Sequence, residues 1–324
     1  MKRTRWNFAV LLAFVAGCSS EPSRRQVTSV PAADRQPREA VIEEPKKIEA
    51  TTPIRTRLNA LNGNAVLYIP TWFSAKAGGY DLLVHFHGLS DIQEKNIEQA
   101  QLNVAVVSIN LGAGTDPYSK PFSRKDVFAS LLEEVQTEIE SSGRAPNAKL
   151  HRLALSAWSA GYVSVAGVMR DPAVAEKVDA ILLADGFFTA FTNVKRRTVN
   201  EAGIKPMATF AELASHDEKL FAITHTTIPT GDFPSVQECV AKLLEMTSLA
   251  KTPSARRGPR DMREIYFVDK GSFHVHGYEG QTAKDHVKQA RAMGETLYPY
   301  LKARWDKQDV ATSKQASPAA RAQP

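Results

Sequence analysis

Between about residues 55 and 305, short apolar runs alternate with longer segments of helical periodicity. Arg55 to Leu61 and Ala65 to Ile69 predict an opening pair of strands, and Tyr80 to His87 and Val104 to Ile109 are apolar runs of the kind buried on both faces of a sheet. Asp91 to Gln101 between them is polar and helical, and Lys125 to Ile139 repeats Val127, Leu131, Leu132 and Val135 at helical spacing. Further strands are predicted at Arg152 to Leu155, Ala180 to Ala184, Leu220 to Thr224 and Glu264 to Val268, with amphipathic helices at Ser235 to Leu249 and Ala283 to Arg304. This alternation predicts an α/β fold, a mostly parallel sheet with helices on both faces. Phe187, Phe188 and Phe191 open the sizeable insertion that ends near Lys219, a place for a small cap over an apolar pocket or for a short helix packed on the core.

The ends of the chain do not follow this pattern. Lys2, Arg3 and Arg5 precede an apolar run from Phe8 to Val15, and Val15-Ala16-Gly17-Cys18 presents small residues where a signal peptidase binds. The run is too short to span a bilayer. It resembles a bacterial lipoprotein signal with its lipobox, which implies cleavage after residue 17 and a diacylglycerol thioether on Cys18. With Ser19 and Ser20 beside the cysteine, the expected location is the cell envelope, and the outer membrane in a Gram-negative host. Residues 18–53 and 307–324 are polar and Pro-, Glu-, Arg- or Ser-rich, and are expected to be a disordered tether and a disordered tail around one domain at 54–306.

The formal net charge of +6 becomes 6 − 3 = +3 once the three basic residues before Cys18 are removed. Without a basic stripe studded with aromatics, that charge does not argue for nucleic acid. A lipidated Cys18 leaves Cys239 without a partner, so neither a disulfide framework nor a CxxC zinc pattern is expected.

Candidate chemistry centres on Ala157-Trp158-Ser159-Ala160-Gly161, which follows an apolar strand run. A strand that turns sharply into a helix on one strained residue brings the chain on either side into near contact, so the positions two before and two after must be small. Ala157 and Gly161 satisfy that, although an ordinary helix opened by a serine N-cap would read similarly. Ser159 is then a nucleophile that needs a neutral imidazole to accept its proton and a carboxylate to orient that imidazole. His85 and His87, two apart on a strand, also suggest a pair of metal ligands, and a metal-dependent hydrolase is the rival they raise.

His85-Phe86-His87-Gly88 after the third strand, the Ser159 motif after the fifth, and acidic and histidine candidates downstream together resemble the α/β-hydrolase superfamily. The resemblance covers about Arg55 to Trp305. It implies a sheet of the eight-stranded type, an oxyanion hole from the amides of Leu89 and Ala160, a base after the last strand, and no cofactor or metal. His286, in Asp285-His286-Val287, is the favoured base, with His276 and His274 as alternatives. Asp185 directly follows the strand run Ala180 to Ala184 and is the favoured acid, with Asp232, after the next strand, as the alternative. The expected activity is cleavage of a carboxylic ester of a small or acylated substrate through an acyl-enzyme. An amidase or peptidase with the same triad, and a lipid-anchored binding protein that retains the fold without turnover, are the other readings.

Overall fold

The computed structural model describes residues 52–76 and 79–316, the last three by backbone alone. The signal expected at residues 1–17, the lipidation site Cys18 and nearly all of the tether lie outside the described residues. In chain order the strands are β1 (Ile54–Leu58), β2 (Ala65–Ile69), β3 (Gly79–Phe86), β4 (Ala105–Ile109), β5 (Lys149–Trp158), β6 (Val178–Ala184), β7 (Phe191–Asn193), β8 (Thr198–Val199), β9 (Leu220–His225), β10 (Thr252–Pro253), β11 (Glu264–Lys270) and β12 (Phe273–Tyr278). Ten of them form one sheet in the order β1-β2-β4-β3-β5-β6-β9-β12-β11-β10, and β7 pairs with β8 in a separate hairpin. The central run from β4 to β12 is parallel, and antiparallel pairings add β2 and β1 at one edge and β11 and β10 at the other.

Alternation along the central strands divides the interior into two layers. Leu82, Val84 and Phe86 of β3, Leu153, Leu155 and Ala157 of β5, and Ile181 and Leu183 of β6 face one layer. Helices Lys125–Ser141, Tyr162–Val168, Glu201–Ser215 and Val236–Met246 cover it. In the first of these Phe128, Leu131, Val135 and Ile139 are buried, the spacing of one helical stripe. The intervening strand positions carry smaller residues, among them Ala154, Ala180, Ala184 and Ala222, and against them pack Ile97, Met293, Leu297, Leu301 and Trp305. Both faces are thus sealed, which is why these strands read as continuous apolar runs.

Three elements differ from the sequence reading, and the insertion after β6 takes the second of its two expected forms, a helix packed on the core. The last parallel strand is β12, which carries His274 and His276, whereas Glu264 to Val268 belongs to the antiparallel β11 beyond it. The sequence predicts no strand at 273–278 because the alternating His274 and His276 mask the apolar face of Phe273 and Val275. The insertion after β6 holds the short β7–β8 hairpin and a helix, Glu201–Ser215, whose Ile204, Met207 and Phe210 are buried in the core rather than forming a cap. The helix expected over Ala283 to Arg304 is broken into Ala283–Arg291, Met293–Thr296 and Tyr298–Ala316. Asn96 causes the break: its Nδ2 donates to the Ala290 carbonyl, its Oδ1 accepts from the Gly294 N–H, and a Cβ on Gly294 would come within 2.6 Å of the Asn96 carbonyl oxygen. Finally, the helix continues past Lys307 to Ala316, contrary to the expected disordered tail. Asp309 pairs with Arg152 at 3.0 Å and Gln308 accepts from Arg152 at 3.3 Å, contacts that composition does not reveal. Among the described residues no helix is long and apolar enough to cross a membrane.

Candidate active site

Strand register brings the site to the carboxyl ends of the central strands. Phe86 of β3 lies opposite Ala157 of β5, Trp158 opposite Ala184 of β6, and Ala184 opposite Thr224 of β9. His87, Ser159 and Asp185 are therefore the first residues past three neighbouring strand ends. All three hold positive φ, 74°, 52° and 46° respectively, a conformation that costs a side-chain-bearing residue about 1–3 kcal/mol and persists only where the surroundings enforce it. The surroundings are tight. A Cβ on Gly161 would sit 2.1 Å from the Phe86 carbonyl oxygen, and one on Gly186 would sit 2.7 Å from the Ser159 nitrogen. These contacts explain the glycine two residues after Ser159 and the one after Asp185, and they bring the chain beside Asp185 against the Ser159 backbone.

Asp185 and His286 meet across the chain. The imidazole Nδ1 lies 2.7 Å from Asp185 Oδ2, and because a carboxylate only accepts, Nδ1 carries the proton and Nε2 is left with its lone pair. His286 stands in the first turn of Ala283–Arg291, a helix started by Thr282 and Asp285 in a reciprocal capping box. Asp185 is almost fully buried and also accepts from the Thr226 backbone N–H at 2.9 Å and from the Thr226 hydroxyl at 2.8 Å. Burial by itself would raise the carboxyl pKa, but the hydrogen bond and charge of His286 and the two Thr226 bonds outweigh it, so the group is held below the ordinary carboxylate range. Among the described residues no hydrogen bond joins Ser159 Oγ to His286 Nε2.

Trp158 links these parts. Its indole packs on the His286 ring with centroids 4.7 Å apart, stacks on His87 at 4.9 Å on an almost parallel plane, and donates its N–H to the His286 carbonyl at 3.1 Å.

The loop after β3 is braced by its own histidines. Fully buried His85 places Nε2 2.7 Å from the His87 carbonyl and Nδ1 2.8 Å from Ser156 Oγ. A carbonyl cannot donate, so Nε2–H donates to it and Nδ1 accepts from Ser156. Desolvation lowers the His85 pKa to about 3, keeping the ring neutral. Both its nitrogens are thereby engaged, which removes it as half of the HxH metal pair. His87 in turn sets Nδ1 2.7 Å from the buried Tyr118 hydroxyl. Gly88, at φ 117°, turns the chain into Leu89 at the N-terminus of the helix Ser90–Ala100. The Leu89 N–H donates to no acceptor among the described residues, and Ala160 lies one residue past Ser159 in the turn before Tyr162–Val168. Leu89 thus stands at the N-terminus of one helix and Ala160 just before another, both past the carboxyl ends of the neighbouring strands β3 and β5, and helix N-termini favour negative charge.

The alternative candidates are elsewhere. Asp232 is exposed, and no hydrogen bond to its carboxylate occurs among the described residues. His276 is tied through Nδ1 to Glu264 at 2.7 Å and through Nε2 to the Tyr300 hydroxyl at 2.7 Å, and His274 pairs with Asp269 at 2.7 Å while stacking on Tyr300. Both histidines therefore hold the β11–β12 edge to the C-terminal helix. Sequence reasoning missed Thr226 and the roles of Trp158 and Tyr118. Thr226 had a signal: it follows β9, next to the strand that Asp185 ends, so its donors fall beside that carboxylate.

No protein-family model matches the chain, and no curated protein sequence is similar to it. Solved structures similar to it include a siderophore hydrolase from Aspergillus nidulans, at 12% identity and a TM-score of 0.41 over 78% of this chain and 96% of that one. They also include a feruloyl esterase module from Clostridium thermocellum, at 12% identity and a TM-score of 0.41 over 77% and 86%. The enterobactin esterase from Shigella flexneri is similar at 11% identity and a TM-score of 0.44 over 79% of this chain and 59% of that one. Each of these likenesses concerns the fold alone.

Proposed function

We propose that the protein is a serine hydrolase that cleaves carboxylic esters through an acyl-enzyme. The observation that carries the reading is the Asp185–His286 hydrogen bond of 2.7 Å beside a serine held at φ 52° on a strand-to-helix turn. In this reading Ser159 Oγ attacks the ester carbonyl carbon as its proton passes to His286 Nε2. That transfer requires Oγ to come within hydrogen-bond reach of Nε2 in the loaded enzyme, where such contacts shorten. The Leu89 and Ala160 amides receive the oxyanion, and the imidazolium, stabilised by Asp185, gives its proton to the departing alkoxide. Water then attacks the acyl-enzyme with His286 again as base, releasing the acid and restoring Ser159.

Residues 51–306, extended to 316 so that the C-terminal helix is complete, should hydrolyse aryl and alkyl esters of graded acyl length, with unchanged rates in a metal chelator. Turnover of amides and not esters would favour the amidase reading, chelator-sensitive turnover a metal-dependent one, and no turnover of any substrate the binding protein.

We also propose that Cys18 is lipidated and that the catalytic domain works at the envelope surface, supported by the lipobox Val15-Ala16-Gly17-Cys18. Cys18→Ser is expected to move the protein out of the detergent phase. Unchanged partitioning, with no acyl mass on the mature N-terminus, would remove the anchor.

A further inference from the structure

We propose that Trp158 is the positioning residue of the base: its indole fixes the plane of the His286 ring between Asp185 and Ser159 and favours the charged form that the ring takes during turnover. The inference rests on the serine-hydrolase reading above and adds to it a side chain that acts through His286.

The hydrogen bond from Nδ1 to Asp185 fixes one atom of the imidazole. By itself it leaves the ring free to swing about that bond, and a swing carries Nε2 away from the nucleophile. Trp158 removes this freedom twice. The indole and imidazole centroids lie 4.7 Å apart at an interplanar angle of 32°, and the indole N–H holds the His286 carbonyl at 3.1 Å, so ring and backbone are both held by one indole. The indole is itself held, because His87 stacks on it with centroids 4.9 Å apart and an interplanar angle of 10°. His87 is itself anchored on Tyr118 at 2.7 Å. The order His87, Trp158, His286 therefore ties the oxyanion loop, the residue before the nucleophile and the base into one stack.

The stack also has an electrostatic consequence. An indole face attracts a cation, and the imidazolium formed on proton transfer is a cation lying on that face. The groups about the His286 ring are the Asp185 carboxylate at Nδ1, the Trp158 indole packed on it and, stacked on the same indole, His87. Its own helix contributes Asp285 and Lys288, which pair with each other at 3.1 Å. His87 adds no competing positive charge near neutral pH, since burial and then the charge of His286 lower its pKa to about 4.

The test compares Trp158→Leu, Trp158→Met and Trp158→Phe with wild type for kcat, KM and the pH profile of kcat/KM on an ester substrate. Circular dichroism identifies folded variants. Loss of the aromatic face in the Leu or Met variant is expected to lower kcat about tenfold with KM within about twofold. It is also expected to move the midpoint of the acidic limb down by about half a pH unit or more, since the protonated base loses its aromatic partner. Trp158→Phe keeps a face without the N–H, and is expected to retain the wild-type limb and most of kcat. An acidic limb that stays in place in the folded Leu or Met variant, or a change confined to KM, would overturn the proposal. Should wild type fail to react with a fluorophosphonate at Ser159, the serine-hydrolase reading itself falls. If wild type labels and the Leu and Met variants match it in kcat and pH profile, only the role of Trp158 falls.

Discussion

Ser159→Ala is expected to lower kcat for ester hydrolysis by roughly a hundred-thousandfold or more, the scale seen when the nucleophile of a triad is removed. The enzyme would keep only the acceleration that the oxyanion amides and substrate binding supply without a covalent intermediate. The variant should fold like wild type. The serine backbone is already held at φ 52° by its surroundings, and the substitution deletes one hydroxyl without opening a large cavity. Near-wild-type turnover in the folded variant would end the acyl-enzyme reading.

The second large effect concerns the pair behind the serine. His286→Ala should approach the damage of Ser159→Ala, because it removes the imidazole that Asp185 holds. Asp185→Asn should lower kcat by about a thousandfold to ten-thousandfold. An asparagine in that buried position no longer offers a carboxylate to Nδ1–H, and it leaves the imidazolium without its counter-charge. The Thr226 N–H, which donates to Oδ1, would meanwhile hold the amide oxygen there and turn the NH2 toward His286, with the Thr226 hydroxyl rotating to accept from it. Double variants should be scarcely worse than Ser159→Ala alone, since the members of one catalytic unit do not add. Asp232→Asn serves as the control and should stay within about twofold of wild type. An inactive, folded Asp232→Asn beside an active Asp185→Asn would move the acid to the loop after β9.

The parallel sheet and the tight turn at Ser159 were legible because each rests on local pattern. Apolar runs mark strands sealed on both faces, and Ala157 and Gly161 mark a place where two stretches of chain nearly touch. Asp185 was legible for a similar reason, since it ends a strand run without an intervening loop. The parts that were not legible depend on long-range partners. β12 carries two histidines whose partners, Glu264, Tyr300 and Asp269, come from other elements, so its sequence looks too polar for a core strand. The break near Ala292 depends on Asn96, far away in the chain, and the helix beyond Lys307 depends on Arg152. Trp158 stood inside the motif itself, yet its packing against both His87 and His286 depends on residues far away in the chain.

The central claim is that Ser159 is an activated nucleophile, and locating a covalent adduct tests it most directly. Wild-type protein treated with a fluorophosphonate and mapped by peptide mass spectrometry should carry one adduct, on the peptide containing Ser159. Labelling should be abolished in Ser159→Ala and strongly slowed in His286→Ala. An active, esterolytic wild type that takes up no adduct, or whose adduct maps to another residue and persists in Ser159→Ala, would contradict the account.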